Sequence, residues 1–497
     1  MSKSNKIVDF DSKDLGRKSV RSGMVNMGGQ LLSVIIQLTS TVVLARIISP
    51  DSYGIIGMVM AVIIFAGLFR DLGLSTATIQ RKEINSNQIS VLFWVNAAVG
   101  LGLSVLLAFC SPLVVWFYGK PELLWVTVVL GINIFLSSLG AQHAALLNRH
   151  MQFVKFNVAK ISSALTYFIV ALIGALYGME YWALVLGAVA QTIVNTALVW
   201  FFSGWIPGLP QRNTGSRDLI KYGLNLTGFE FVNYFSRNLD NVLIGKVIGA
   251  EVLGYYTRAY RLIMFPISNI RTPLAAVALP GLSSIQSEKL LFRSYYTQLL
   301  GILSVVTMPI AAFTFFAAEP IVLVVLGLDW LPVAPIMQWL AVAAFLQPVA
   351  GLFGVVLLAL GLAKRHMHCG LISGIVLSLV FLISVNYGVE VLAMAYAISG
   401  YVLFIPIFLY ASKNTGINLS DFYKGVWRAA LASIISVIIL SFIDFADYFD
   451  NIYLSVFIKA FEFIITYLAF ILILPGGKTL LLMIVNRIRQ SLLKPTS

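Results

Sequence analysis

The apolar residues of this chain gather into long runs separated by short polar segments. The runs fall at 22–47, 54–77, 88–110, 122–146, 157–176, 181–203, 222–248, 254–280, 295–318, 333–361, 367–387, 391–411, 429–443 and 452–475. An α-helix needs about 20 apolar residues to cross the hydrocarbon core of a bilayer. The pattern therefore predicts an all-α polytopic membrane protein with about 14 transmembrane helices. Gly and Pro interrupt several runs, which membrane helices tolerate when neighbouring helices satisfy the freed backbone groups.

Composition agrees. Of 497 residues, 59% are hydrophobic and 11% charged, and the mean hydropathy is +0.90. Soluble domains carry about 25% charged residues. A soluble enzyme, a disordered chain and a nucleic-acid-binding domain are excluded together. The formal net charge of +13 reads as basic cytoplasmic loops, with no nucleic-acid partner. Among the short loops assigned to the outside, Lys120 is the one basic residue, while the segments assigned inside are rich in Lys and Arg. This is the positive-inside pattern, and it places both termini in the cytoplasm. The polar segment 1–21 lacks a following short apolar stretch with a small-residue cleavage site, so no removable leader is expected. The two cysteines, Cys110 and Cys369, are expected near opposite faces of the bilayer, too far apart to pair.

The chain repeats itself. Gly23, Val42, Ile48 and Gly54 recur as Gly223, Val242, Ile248 and Gly254, and Arg46 as Lys246. The stretch from Pro112 to Gly119 recurs from Pro320 to Gly327. Arg149-His150-Met151 recurs as Arg365-His366-Met367, and Tyr177-Gly178 as Tyr387-Gly388. A parallel repeat of two six-span halves is a transporter architecture with a cleft between lobes. The expected organisation is a cytoplasmic segment 1–21, an N-lobe 22–204, an inter-lobe linker 205–221, a C-lobe 222–411, a linker 412–428, two further spans within 429–475 as an appendix, and a tail 476–497.

Charges inside the spans carry the candidate chemistry, because each costs at least about 2.5–3.5 kcal/mol at a helix centre. In the seventh run Glu230, Tyr234, Arg237 and Asn241 share one helical face, and Asp240 lies one turn from Arg237. Two readings fit: a self-neutralising ion-pair cluster, or a polar wall of a central cavity. The eighth run adds Arg258, Arg261 and Arg271, the first two either lining that cavity or snorkelling to outer headgroups. Arg70 reads either as a further cavity cation or as an interfacial ion pair with Asp71, and Lys246 joins the cationic set. Basic residues outnumber acidic ones in and beside the runs, which favours an anionic cargo. Phosphate fits, since Arg offers it two donors. Glu230 and Asp240 are the candidates for coupling to H+ or Na+. No Walker A motif, nucleophile–base pair or metal-ligand spacing is present, so no catalytic residue, cofactor or metal is expected.

Particular strings then carry a resemblance. The run Leu44-Ala-Arg-Ile-Ile-Ser-Pro-Asp-Ser-Tyr-Gly-Ile-Ile-Gly57 and the stretch from Asp71 to Glu83 resemble the first-half signature of the polysaccharide exporters, or Wzx-type flippases. The stretches from Ile244 to Tyr260 and from Leu279 to Gln286 resemble the branch exporting colanic-acid-like and teichuronic-acid-like polymers. The resemblance implies the fold of the multidrug/oligosaccharidyl-lipid/polysaccharide superfamily, two six-helix lobes around a V-shaped cavity. It implies, as cargo, an oligosaccharide repeat unit on undecaprenyl pyrophosphate, flipped across the bacterial inner membrane for surface polysaccharide biosynthesis. Membrane lipids, a polysaccharide polymerase and a chain-length regulator are the partners it suggests. The first run offers only Asn26, Gln30 and Gln37 where drug antiporters place coupling carboxylates. It also lacks the Arg-Asp pair of lipid II flippases. An ion-coupled exporter of small amphiphiles and a membrane glycan polymerase or ligase are the rival readings. The short outer loops argue against the second.

Overall fold

The structure, a computed structural model, describes residues 15–81, 84–211, 238–443 and 451–483. All regular structure among them is helical. Thirteen helices are long and apolar enough to cross a membrane, and each coincides with one of the runs above. The seventh run, 222–248, falls largely outside the described residues. The chain forms two compact units that divide between Lys246 and Val247.

The first unit contains α1 (Leu15–Ala45), α2 (Pro50–Asp71), α3 (Leu74–Gln80), α4 (Ser86–Tyr118), α5 (Leu123–Arg149), α6 (Phe153–Leu176) and α7 (Tyr181–Ser203). Helix α5 is central, packing on α2, α3, α4 and α7. Its buried positions Leu123, Val126, Leu130, Ile134 and Ser138 recur every three or four residues, the spacing that keeps one helix face inward. Lipid tails are as apolar as Leu, so helices in a membrane hold together by close packing through small residues. Gly100 shows this. A Cβ there would come within 2.7 Å of Ser138 Cβ, so α4 and α5 meet closely only because position 100 has no side chain.

Two boundaries differ from the hydropathy pattern. The run 54–77 is not one helix. Leu72 and Gly73 adopt left-handed φ values of 46° and 66°, and the Asp71 carboxylate accepts from Ser75 N at 3.3 Å and Ser75 Oγ at 2.7 Å. The second span ends at Asp71 and α3 starts afresh. The segment after α7 also stays with the first unit. Trp94 Nε1 donates to the Gly208 carbonyl at 2.9 Å, Gly208 N to Ser90 Oγ at 3.0 Å, and Trp205 Nε1 to Ser86 Oγ at 3.2 Å. The first part of the expected inter-lobe linker is thus fastened to the start of α4.

The second unit contains α8 (Ala250–Ser284), α9 (Lys289–Phe316), α10 (Ala318–Val325), α11 (Val333–Ala350), α12 (Leu352–Ala359), α13 (Ala363–Ser384), α14 (Val389–Ser412), α15 (Leu419–Phe442) and α16 (Ile452–Ile473). The last two spans pack into the second unit. Phe422, Val426, Ala429, Phe463 and Tyr467 belong to the same buried cluster as Leu299, Leu300 and Phe353. Ser304 Oγ donates to the Gly425 carbonyl at 3.2 Å, and Arg293 on α9 pairs with buried Asp421 on α15 at 2.6 Å. These partners lie over a hundred residues apart in sequence, which is why run lengths alone do not reveal them.

The repeat has a structural counterpart. Gly119 and Gly327 both adopt positive φ, at 74° and 103°, as do Gly178 and Gly388, at 74° and 99°. Each pair sits just past the end of a helix, where a Cβ would be strained. Arg149 donates to the carbonyls of Thr78 and Arg81, and its counterpart Arg365 to those of Ala411 and Lys413. Both arginines therefore satisfy orphan carbonyls at a neighbouring helix C-terminus.

Candidate functional site

Polar groups in the first unit pair between α2, α3, α4 and α5. Arg70, half-buried at the end of α2, donates from Nη1 to Ser137 Oγ at 2.9 Å. Asn96 on α4, wholly buried, donates to Asp71 Oδ1 at 3.2 Å. Thr78 donates to buried Gln142 at 2.8 Å. Among the described residues no ion pair joins Arg70 to Asp71, which turn to different partners. The interfacial-pair reading of these two is thereby corrected. The break at Leu72–Gly73 frees the Asp71 carboxylate to serve α3 and α4 while Arg70 faces α5. Sequence reasoning found Arg70 and missed Asn96, Ser137 and Gln142. The available signal was three polar residues, Asn133, Ser137 and Gln142, within an otherwise apolar run.

Lys246 lies elsewhere. It sits in a π-helical turn, Ile244–Ile248. Its ammonium donates to the Phe117 carbonyl and stands 5.1 Å from the Phe117 ring centre. That is the end of α4, where Lys120 pairs with Asp51 at 2.8 Å. Asp51 opens α2 and Arg70 closes it, roughly 30 Å away at 1.5 Å per residue. Lys246 and Arg70 thus belong to opposite ends of the first unit. Asp240 is buried, and its Oδ1 accepts from Asn241 N at 2.8 Å. Glu230, Tyr234 and Arg237 lie outside the described residues.

In the second unit α8 carries three arginines through a helix containing Pro266, Pro273 and Pro280. Arg258 is half-buried and Arg261 exposed. They are one turn apart and share a face. Near them Tyr255 Oη donates to Glu251 at 2.7 Å. Arg271 stands apart. Thirteen residues past Arg258, it is rotated by roughly 140° on a regular helix, and its guanidinium lies against Gly351 at the junction of α11 and α12. The structure therefore joins Arg258 to Arg261 and separates both from Arg271. Among the described residues no group of three His, Cys, Asp or Glu side chains gathers as a metal site would require.

Comparison with known proteins adds to this geometry. The family model described as "Polysaccharide biosynthesis protein" matches residues 43–335. The teichuronic acid biosynthesis protein TuaB of Bacillus subtilis (strain 168) is 28% identical over 380 residues, 74% of this chain and 77% of that one. The lipopolysaccharide biosynthesis protein WzxC of Escherichia coli (strain K12) is 26% identical over 328 residues, 65% of this chain and 66% of that one. Among solved structures, the lipid II flippase MurJ in an inward closed conformation superposes with a TM-score of 0.71, at 16% identity, over 90% of this chain and 98% of that one. An inward-facing multidrug resistance MATE family transporter of the MOP superfamily gives a TM-score of 0.59, at 14% identity, over 81% and 99%. At these identities the structural matches speak for the fold alone: a polytopic, all-α membrane protein.

Proposed function

Because the chain belongs to the polysaccharide biosynthesis protein family, we propose that it moves lipid-linked oligosaccharide repeat units from the inner to the outer leaflet of the bacterial plasma membrane, by alternating access. The observation that carries this reading is the arginine-bearing helix α8. Arg258 and Arg261 face the same way on a membrane-spanning helix, and ionisable residues within such spans mark substrate pathways. Two guanidiniums one turn apart suit a pyrophosphate, which accepts their paired N–H groups. In this reading Arg258, Arg261 and Arg237 attract the pyrophosphate linkage, and acidic sugars where the repeat unit has them. Arg70, held towards Ser137, contributes positive potential at the entry end. Lys246 acts at the opposite end, where the cargo leaves.

The protein works as a transporter, without covalent chemistry. Both termini are cytoplasmic, in keeping with the distribution of Lys and Arg over its short loops. Transport is coupled to H+ or Na+, with Glu230 or Asp240 as carrier. A polysaccharide polymerase and a chain-length regulator receive the exported units.

The test is replacement of the chromosomal copy by Arg258→Ala/Arg261→Ala in a cell that makes the cognate polysaccharide. Lipid-linked repeat units should accumulate at the inner leaflet while the variant remains in the membrane at normal abundance. Single repeat units reaching the outer face unpolymerised would contradict the transport reading and assign the protein to polymerisation.

A further inference from the structure

The second unit holds a cavity of about 330 Å³ within its own helices, walled by α8, α11, α12, α13 and α14. Most of the wall is apolar, with Phe353, Phe404 and Phe408 its largest members. Two potentially cationic side chains interrupt it, Arg271 from α8 and His366 from α13. Both are seated by glycine. A Cβ on Gly351 would come within 2.7 Å of Arg271 Nη2, and a Cβ on Gly354 within 2.7 Å of His366 Cε1. Positions three apart share a helix face. The α11–α12 junction therefore offers two adjacent notches, and a guanidinium and an imidazole from different helices lie in them. Any side chain at either glycine would drive its basic neighbour out of place.

The cavity sits towards one end of the unit. A guanidinium, an imidazole and an aromatic wall make a polarity profile that matches an amphiphile. A free phosphate would gain nothing from the phenylalanine wall. A neutral alkyl chain would gain nothing from Arg271 and His366. Ligand pockets run from about 300 to 1,000 Å³, so this one, at the small end, takes one headgroup and the first part of one chain.

We propose that this cavity is a binding site for the phosphate end of a single-chain lipid phosphate, with Arg271 and His366 gripping the phosphate and Phe353, Phe404 and Phe408 packing the chain. The site belongs to the second unit alone and is separate from Arg258 and Arg261. It gives Arg271 a role that the path of the cargo does not.

The test is native mass spectrometry of the purified full-length protein with dodecyl phosphate as probe. One molecule should bind per chain. Arg271→Gln should weaken binding about tenfold, the effect of losing a charge-assisted hydrogen bond. His366→Gln should weaken it as well. Gly354→Leu, which fills the notch, should abolish binding. Should that variant not fold, Leu377→Trp fills the cavity from α13 and should do the same. Any of three results would overturn the proposal. Dodecanol could bind as well as dodecyl phosphate, inorganic phosphate or phosphatidylglycerol could displace the probe with equal potency, or the filled variants could bind it undiminished. Failure of the native protein to bind the probe, with Arg258-dependent export intact, would sink this site and leave the export reading standing. Failed export with probe binding intact would do the reverse.

Discussion

A buried carboxylate has to find a donor, and Arg293 supplies one. Its Nε meets Asp421 Oδ2 at 2.6 Å, and the Asp421 side chain is 4% exposed. Arg293→Ala leaves that carboxylate with the Asn418 backbone N–H, 2.9 Å away, as its remaining donor. The loss should be about 1.5–3 kcal/mol, the worth of a hydrogen bond to a charged group, because α9 and α15 are joined there. It would be read as a lowered melting temperature of the purified protein, with Arg293→Lys intermediate. An unchanged melting temperature would mean that apolar packing alone fixes α15. At this scale the sequence was legible where charge stands out against an apolar run: Arg70, Arg258, Arg261 and Arg271 are conspicuous on that ground. Asn96, Gln142, Gly351 and Gly354 were not. Uncharged polar residues and glycines are common in membrane spans, and their significance depends on partners such as Thr78, 64 residues from Gln142.

Helix existence was legible throughout the described residues, and helix ends were less so. Runs of apolar residues mark the part of a helix that meets lipid, whereas caps decide where it begins. Helix α15 starts at Leu419, ten residues before the apolar run at 429, because Asn418 and Asp421 form a reciprocal capping box. That signature is local and readable in principle. The break at Leu72–Gly73 is harder to foresee, since Leu72 is a non-glycine residue at positive φ. Asn418→Ala should cost about 1 kcal/mol, a usual value for a lost N-cap. Native-state hydrogen exchange should show the effect as faster exchange confined to the first turn of α15. Faster exchange spread evenly along α15 would contradict the capping assignment.

The sequence repeat foretold a molecule of two halves. The structure supports it with positive-φ glycines at Gly119 and Gly327, and at Gly178 and Gly388, though the units divide at Lys246–Val247. The assignment of α15 and α16 to the second unit's core was not legible, because it rests on contacts between distant segments. The proposed topology puts Cys110, near the end of α4, at the outer face and Cys369, near the start of α13, at the inner face. An impermeant thiol reagent applied to intact cells should label Cys110 faster than Cys369, which is also the more buried of the two. The reverse order would invert the topology.

The central claim is transport of a lipid-linked oligosaccharide, and reconstitution tests it most directly. Purified protein would be placed in liposomes loaded on both leaflets with an undecaprenyl-pyrophosphate-linked oligosaccharide bearing a cleavable terminal sugar. A membrane-impermeant glycosidase then reports the fraction that reaches the outside. The protected half should become accessible over time with the native protein, and remain protected with Arg258→Ala/Arg261→Ala and in protein-free liposomes. Protection persisting with the native protein at the level of empty liposomes would contradict the account.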